Sequence, residues 1–496
     1  MKINKQIKLI LLILILLIAV FLRFYAIKDY IIFLGDQGRD VLIVKNIIVD
    51  KKFTLLGPTA SVGGFYLGPF YYYMMILPLW IAGFNPVGPA YMVALIGVAT
   101  VFLIYKFTTR LFDEKSGLLA AFLYAVSPLA VAGSRFSWNP NTVPFFTLLL
   151  FITIYSALTK KRWWLFIACG AILGINFQLH YLTLSLAPLT IILFADKNLW
   201  VWIKRIFFAV IGGLLTFSPF LLFEIRHGFN NFTTILEFVT RKSGAMGIYP
   251  TSLLSRLSEL SHRIFADFIG VEKSIFVWIL MYFCLIALLL NLKKVKKKLS
   301  VLLVLVWWLG GIFLLSFYQG GIYEYYFAYL YPIPAIAIAL GLSFLLNQKL
   351  LLKVLSLAML LAITYFSIKA QPILQQPNRI LEQTQRIADS VAKESQNKPF
   401  NFALISGGNS DHAYRYFLEI SDNKPMPLED NVENQLFVVC ESVKCEPLGN
   451  SLWEIAAFGR AEIDEEWKDE IGVRIFKLVH HPDSIDWVGK PAPKEN

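Results

Sequence analysis

The stretch Phe70-Tyr-Tyr-Tyr-Met-Met-Ile-Leu-Pro78-Leu-Trp-Ile-Ala82 decides how the chain is threaded. Around it lie apolar runs at Leu9 to Phe24, Ala90 to Tyr105, Gly117 to Ala132, Val143 to Leu158, Trp164 to Phe177, Leu182 to Phe194, Ile206 to Phe223, Ile275 to Leu292, Leu299 to Phe317, Phe327 to Leu346 and Leu350 to Ile368. If Phe70 to Ala82 crosses a bilayer, every later run reverses direction. Basic residues mark the cytoplasmic side of a membrane chain. Lys106/Arg110/Lys115, Lys160/Lys161/Arg162, Lys197/Lys204/Arg205, the run Lys293, Lys294, Lys296, Lys297 and Lys298, and Lys349/Lys353 fall in alternate connections. All share one side with Lys2, Lys5 and Lys8 only if the Pro78-interrupted stretch stays in the interface. The expectation is eleven spans, with the N-terminus cytoplasmic and the C-terminus outside a plasma (inner) membrane.

Composition agrees. Of 496 residues, 57% are hydrophobic and 16% charged, with mean hydropathy +0.59. Soluble domains run at roughly 45–50% apolar and about 25% charged, so a water-soluble globule is excluded. The net charge of +12 comes from clusters between apolar runs and reads as a topology signal, with no nucleic-acid partner expected. Cys169 and Cys284 lie inside apolar runs. Cys440 and Cys445 lie in the polar tail and can close a small loop if that tail meets an oxidising compartment. No Cys/His spacing suggests a metal, and no cofactor is expected.

Three regions follow: an all-α polytopic membrane domain over 1–370, a linker or helical segment over 371–400, and a small α/β extracytoplasmic domain over 401–496. The membrane domain carries a first outer loop, 26–89, holding interfacial helices, and a second, 224–273. In the tail, Asn401-Phe-Ala-Leu-Ile-Ser-Gly-Gly408 reads as a strand and tight turn, Asp411 to Ile420 as a helix, and Leu436 to Cys440 and Val473 to Val479 as strands. Ser406 and His412 read as structural.

Charges in a membrane protein mark function unless they cap or anchor a helix. The first outer loop holds Phe33-Leu-Gly-Asp36-Gln-Gly-Arg39-Asp40 ahead of a helix-like Val41 to Val49, which puts a carboxylate beside an arginine near the outer surface. It continues Gly63-Gly-Phe-Tyr66-Leu-Gly-Pro69-Phe-Tyr-Tyr-Tyr73, which suits a loop folded onto the membrane. Later outer segments hold Arg135, His180, Glu224-Ile-Arg226-His227 and Tyr323-Glu324-Tyr325-Tyr326. For each a bland reading stands alongside: a cap, an ion pair or an interfacial anchor.

The acid after the first run, the Gly/Pro-aromatic element, Gly97 to Phe112, Ser116 to Pro128 and Gly133-Ser-Arg-Phe136 together resemble the GT-C glycosyltransferases. The nearest branch is the protein O-mannosyltransferase and aminoarabinose-transferase group. The resemblance implies transfer of a sugar from a polyprenyl-phosphate donor to a protein, lipid or glycan acceptor on the outer face, with inversion and within the cell envelope. It implies Asp36 as general base; the leaving phosphate needs positive charge, for which Arg39, Arg135 and Arg226, all on the outer face in the eleven-span reading, are the candidates, and Asp40, Tyr66, His180, Glu224, His227, Glu324 and Tyr325 are the candidates at the substrate. Gln37 stands where many members carry a second acid. Asn139 and Asn141 stand without the Asp-x-Asp of metal-using relatives, so no metal is expected. Two competing readings are a flippase for lipid-linked oligosaccharide, against which the lack of an internal repeat argues, and a polysaccharide polymerase or ligase, which relies on a late loop rather than an acid after the first span.

Overall fold

The computed structural model describes residues 4–60, 63–240, 252–293, 298–318, 320–442, 444–483 and 488–492. Lys2, Lys294, Lys296, Lys297 and residues 241–251 of the second outer loop lie outside them. The chain forms two compact units. The larger comprises 1–27 and 50–376, the smaller 28–49 and 377–496.

A helix overlies each of the eleven apolar runs. Among the described residues six helical segments are long and apolar enough to cross a membrane: Lys5–Phe24, Val87–Leu111, Asn139–Lys160, Leu199–Arg226, Lys298–Leu315 and Leu350–Lys369. The Glu324–Leu330 and Pro332–Leu346 helices form a seventh candidate bent by 57° at Tyr331. Trp163–Leu179, Tyr181–Leu193, Ile275–Leu290 and Phe70–Ile81 are shorter apolar elements. The Gly117 to Ala132 run is broken at Ser127, whose hydroxyl caps Pro128–Ala132. Phe70–Ile81 is one unbroken 12-residue helix despite Pro78.

Within the larger unit Pro332–Leu346 lies in the core, buried except at Phe344 and Leu346, and packs against Glu114–Val126, Ile275–Leu290 and Leu350–Lys369. Lipid tails are as apolar as leucine, so helices there associate by close packing through small residues. Trp163–Leu179 and Leu199–Arg226 do so. A Cβ on Gly170 would stand 1.6 Å from the Ala209 carbonyl oxygen, and one on Gly212 1.8 Å from that of Ile167.

The smaller unit is built on a four-stranded sheet of β1 (Asn401–Ile405), β2 (Gln435–Cys440), β3 (Ala461–Lys468) and β4 (Arg474–His480), in the order β1-β2-β4-β3. β1 and β2 are parallel, with Ala403 opposite Val438. β4 runs antiparallel to both its neighbours. β2 is buried along its whole length, while β3, Ala-Glu-Ile-Asp-Glu-Glu-Trp-Lys, is an edge strand exposed at most positions. Its charges hide it from a hydrophobic pattern and protect the edge from pairing with another chain. Cys440 and Cys445 are joined, with Cα atoms 6.0 Å apart.

The division departs from the expected one in two places. Residues 28–49 of the first outer loop cluster with the α/β tail, because helix Gly35–Val49 packs on helix His412–Ile420. Phe33 meets Tyr416 and Phe417 edge-on, and Lys45 pairs with Glu419 at 3.0 Å. The 371–400 segment holds helix Ile380–Glu394, whose face of Leu381, Ile387, Ala388 and Val391 is buried. The segment thus takes the helical one of its two expected forms, and 377–400 belongs to the smaller unit.

Candidate functional site

In the smaller unit, the helix expected from Val41 begins at Gly35. Two orphan amides at its start are satisfied from outside the backbone ladder, as helix termini require. The Leu34 N–H donates to Gln37 Oε1 at 3.0 Å, and the Gly35 N–H to Asn409 Oδ1 at 2.8 Å. Asn409 is fixed in turn, its Nδ2 donating to both carboxylate oxygens of Glu441 at 3.1 Å while the Tyr414 hydroxyl donates to the same group at 2.8 Å. The glycines of Gly35-Asp36-Gln37-Gly38 make this approach possible. A Cβ on Gly38 would stand 2.3 Å from the Ala413 nitrogen, and one on Gly35 1.9 Å from Ser410 Oγ.

Asp36 is thereby set in the first helical turn with its side chain 51% exposed, in an ion pair with Arg39 at 3.0 Å. Arg39 also donates from Nη2 and Nε to Asp40 at 2.8 and 3.1 Å, and Asp40 is 1% exposed. Asp36, Arg39 and Asp40 therefore form one cluster. Gln37 points inward, 5% exposed, and serves as a cap. Close by is His412, which the sequence reading takes as structural. His412 has its Nδ1 2.9 Å from Ser410 Oγ and 3.8 Å from Asp411. Burial lowers its pKa; the charges of Asp411 and Asp36 raise it, and those of Arg39 and Arg415 lower it. His412 stands four residues past the Gly407-Gly408 turn and next to Asp411; nothing local signals that it also feels Asp36, which lies far away in sequence.

In the larger unit, His180 ends helix Trp163–Leu179 and accepts from the Leu182 N–H through Nδ1 at 3.3 Å. Its ring sits among Tyr181, Tyr325 and Tyr326, with centroids 4.8, 5.6 and 5.5 Å away. Trp138 reaches the same cluster through Tyr325 at 4.6 Å. His180 is 5% exposed, and its Nε2 finds no hydrogen-bond partner among the described residues. An apolar cavity of about 290 Å³ opens beside Tyr181, Phe65, Phe238 and Tyr318. His180 and Tyr325 are thus brought together as one aromatic cluster.

The other expected site residues of this unit fall elsewhere. Tyr66 has an exposed ring but a fixed backbone, its N–H and carbonyl clamped by Asn231 at 2.8 and 3.0 Å. Glu224 is 1% exposed and accepts from the Phe232 N–H at 2.8 Å, capping helix Asn230–Thr240. Arg226 and His227 end helix Leu199–Arg226 in exposed positions, with His227 stacked on Phe223 at 4.0 Å. Glu324 is exposed at the start of its helix.

Arg135 is buried within the larger unit. It is 2% exposed, and its two Nη groups donate to the carbonyls of Leu22 and Tyr25 at 2.7 and 2.8 Å, at the end of the first helix. Both donors are engaged by orphan carbonyls at a helix end. Arg256 and Arg263, on helix Leu253–Ile269, hold the carbonyls of Ser316, Tyr318 and Ile322. Arg263 stands 3.6 Å from Asp267. Burial pushes the Asp267 carboxyl up to about 6, opposed by Arg263 and reinforced by Glu324.

Among solved structures, ArnT from Cupriavidus metallidurans bound to undecaprenyl phosphate superposes with TM-score 0.63 at 12% identity, over 96% of this chain and 99% of that one. The chain carries the GT-C fold. Two structures of the Archaeoglobus fulgidus oligosaccharyltransferase share it. One, tethered via a disulfide bond with an acceptor peptide containing the NVT sequon, matches with TM-score 0.54 at 13% identity over 96% of this chain and 74% of that one. The other, AglB with an inhibitory peptide and a dolichol-phosphate, matches with TM-score 0.50 at 14% identity over 87% and 69%. The family described as dolichyl-phosphate-mannose-protein mannosyltransferase matches residues 67–223 of this GT-C chain. No curated protein sequence matches it. The resemblance read from the first two hundred residues is borne out, and the chain is a multi-pass membrane protein of GT-C type.

Proposed function

We propose that this GT-C protein is a glycosyltransferase that moves a sugar from a polyprenyl-phosphate donor to an acceptor on the extracytoplasmic face, with inversion, using Asp36 as general base. The observation that carries the reading is the placement of Asp36. An exposed carboxylate is held in a fixed first helical turn, beside an arginine, on a helix seated by two glycines. In the reaction the acceptor O–H proton passes to the Asp36 carboxylate as the acceptor oxygen bonds to the anomeric carbon. The bond from that carbon to the phosphate oxygen breaks, and its electron pair leaves with the phosphate. Negative charge grows on the departing group, so a guanidinium there stabilises the transition state. Arg39, on the same helix as Asp36, is the candidate, and Asp40 orients it.

Eleven crossings of a plasma (inner) membrane, cytoplasmic at the N-terminus, follow from the alternation of basic clusters. The Cys440–Cys445 disulfide supports an oxidising compartment for the tail. The reading is tested by Asp36→Asn in the full chain, measuring release of labelled sugar from a polyprenyl-phosphate-linked donor. Loss of a general base costs roughly 100- to 10,000-fold, with donor binding retained. Full activity in that variant sinks the mechanism.

A further inference from the structure

Val87–Leu111 and Asn139–Lys160, two of the helices long and apolar enough to cross a membrane, enclose a cavity of about 260 Å³ near their C-terminal, basic ends. Lys106, Phe107, Arg110 and Leu111 line it from the first helix, Ile152 and Tyr155 from the second. The transfer step proposed above makes no use of it.

Lys106 and Arg110 stand four residues apart and so share one face of their helix. Two like charges in that register repel each other. Each is laid against an aromatic ring, with Lys106 Nζ 5.4 Å from the centroid of Phe102 and Arg110 Cζ 5.2 Å from that of Tyr155. One Nη of Arg110 also donates to Ser156 Oγ at 3.4 Å. Among the described residues neither cation meets a carboxylate, and no carboxylate lines the cavity. The two acids just beyond the helix are engaged elsewhere. Glu114 pairs with Lys8, and Asp113 accepts from the Ser116 N–H and hydroxyl, both at 2.9 Å. By contrast Arg205, a cation of the next basic cluster, has its own acid, Asp196, at 2.6 Å.

A pair of cations without a counter-charge selects an anion, and the rest of the wall selects its kind. Phe107 and Leu111 are buried, Ile152 and Tyr155 half-buried, so the cations stand over an apolar floor. A soluble anion would leave that floor in water. An anionic lipid covers it, because its glycerol and first methylenes follow the phosphate into the cleft. The volume lies just below the roughly 300 Å³ at which small-molecule sites begin, room for a headgroup and not for a whole lipid. Basic pockets between helices at one face of a bilayer hold such headgroups. We propose that Lys106 and Arg110 form a binding site for the headgroup of an anionic phospholipid. In the eleven-span reading this is the cytoplasmic face, where anionic lipids concentrate; binding at the pair requires neither that reading nor the transferase mechanism.

The test titrates the full chain, in a non-ionic detergent, with dioleoyl-phosphatidylglycerol, dioleoyl-phosphatidylcholine or inorganic phosphate, and reads the first bound ligand by native mass spectrometry. Phosphatidylglycerol is expected to bind roughly 10-fold or more tightly than phosphatidylcholine. The Lys106→Gln/Arg110→Gln double variant should lose most of that preference, while Lys106→Arg/Arg110→Lys, which keeps both charges, should retain it. Both side chains are exposed, so the Gln pair is expected to melt with the parent, and the charge-keeping swap isolates charge in any case. Lys349 and Lys353, an exposed pair at the same spacing at the start of helix Leu350–Lys369, serve as the control for a general basic belt. Lys349→Gln/Lys353→Gln should leave the affinity unchanged. The proposal is overturned if phosphatidylcholine binds as tightly as phosphatidylglycerol, if the two Gln pairs weaken binding equally, or if inorganic phosphate alone binds as tightly as the lipid.

Discussion

The two units spend their charged groups in opposite ways. In the larger one the buried ions serve the backbone. Arg23, with 0% exposure, donates to the carbonyls of Ala125 and Tyr124, Arg135 to those of Leu22 and Tyr25, and Glu224 accepts an amide at a helix start. In the smaller one Asp36, His412 and Glu429 keep surface open to water. Where water is excluded, orphan helix carbonyls and amides have no partner except a side chain. The scarcity of charge that makes an intramembrane arginine look functional is also what recruits it to a helix end. Where water reaches, the backbone can be hydrated, and a carboxylate is left over for chemistry.

That contrast can be broken outright by Arg135→Met. If its guanidinium ties down the end of the first helix, the variant loses two charge-assisted bonds, about 3 kcal/mol or more, and a tryptophan-fluorescence melt in detergent shows a large drop. Unchanged melting with lost donor binding would instead return Arg135 to the phosphate. The Asp36→Asn variant gives the mirror image, a surface change expected within about 0.5 kcal/mol in stability beside its large loss of turnover.

Gly38→Val is expected to act between these extremes. Its Cβ would enter the Ala413 backbone, so helix Gly35–Val49 must shift, at a cost of about 1–3 kcal/mol for overpacking. Turnover should fall well beyond what that destabilisation explains, because a displaced base is a misplaced base; melting and kcat measured on the same sample decide it.

The smallest effect expected is a pH dependence. The Asp267 carboxyl, raised to about 6, favours the protonated form in the folded state. Its contribution is fully present below the ordinary carboxylate range near pH 4 and is lost as the pH rises through about 6. Asp267→Asn should therefore match the parent near pH 4 and gain on it above pH 6, read as the difference between melting temperatures. A constant difference across that range would contradict the placement of Asp267.

The helices were legible because an apolar run long enough to cross lipid has few other solutions, and each run read from the sequence carries a helix. The α/β character of the tail was legible at β1, β2 and β4 for the same reason, their apolar content. β3 was not, since an exposed edge strand keeps its charges. The acid at Asp36 was visible through its neighbours and the family resemblance, but not what seats it. Asn409, Glu441 and Ala413 lie more than 360 residues further on, and a contact that distant leaves no local pattern.

Sequence by itself determined that this chain enters a membrane, where its helices run and which carboxylate stands out, because hydrophobicity and charge are properties of single residues and short runs. Tertiary structure decided that Arg135 caps a helix, that Gln37 turns inward, and that the Asp36 helix packs with the C-terminal sheet domain. Each of those depends on which donor finds which acceptor across hundreds of residues, and that is settled only when the chain closes on itself and every buried polar group must be paired.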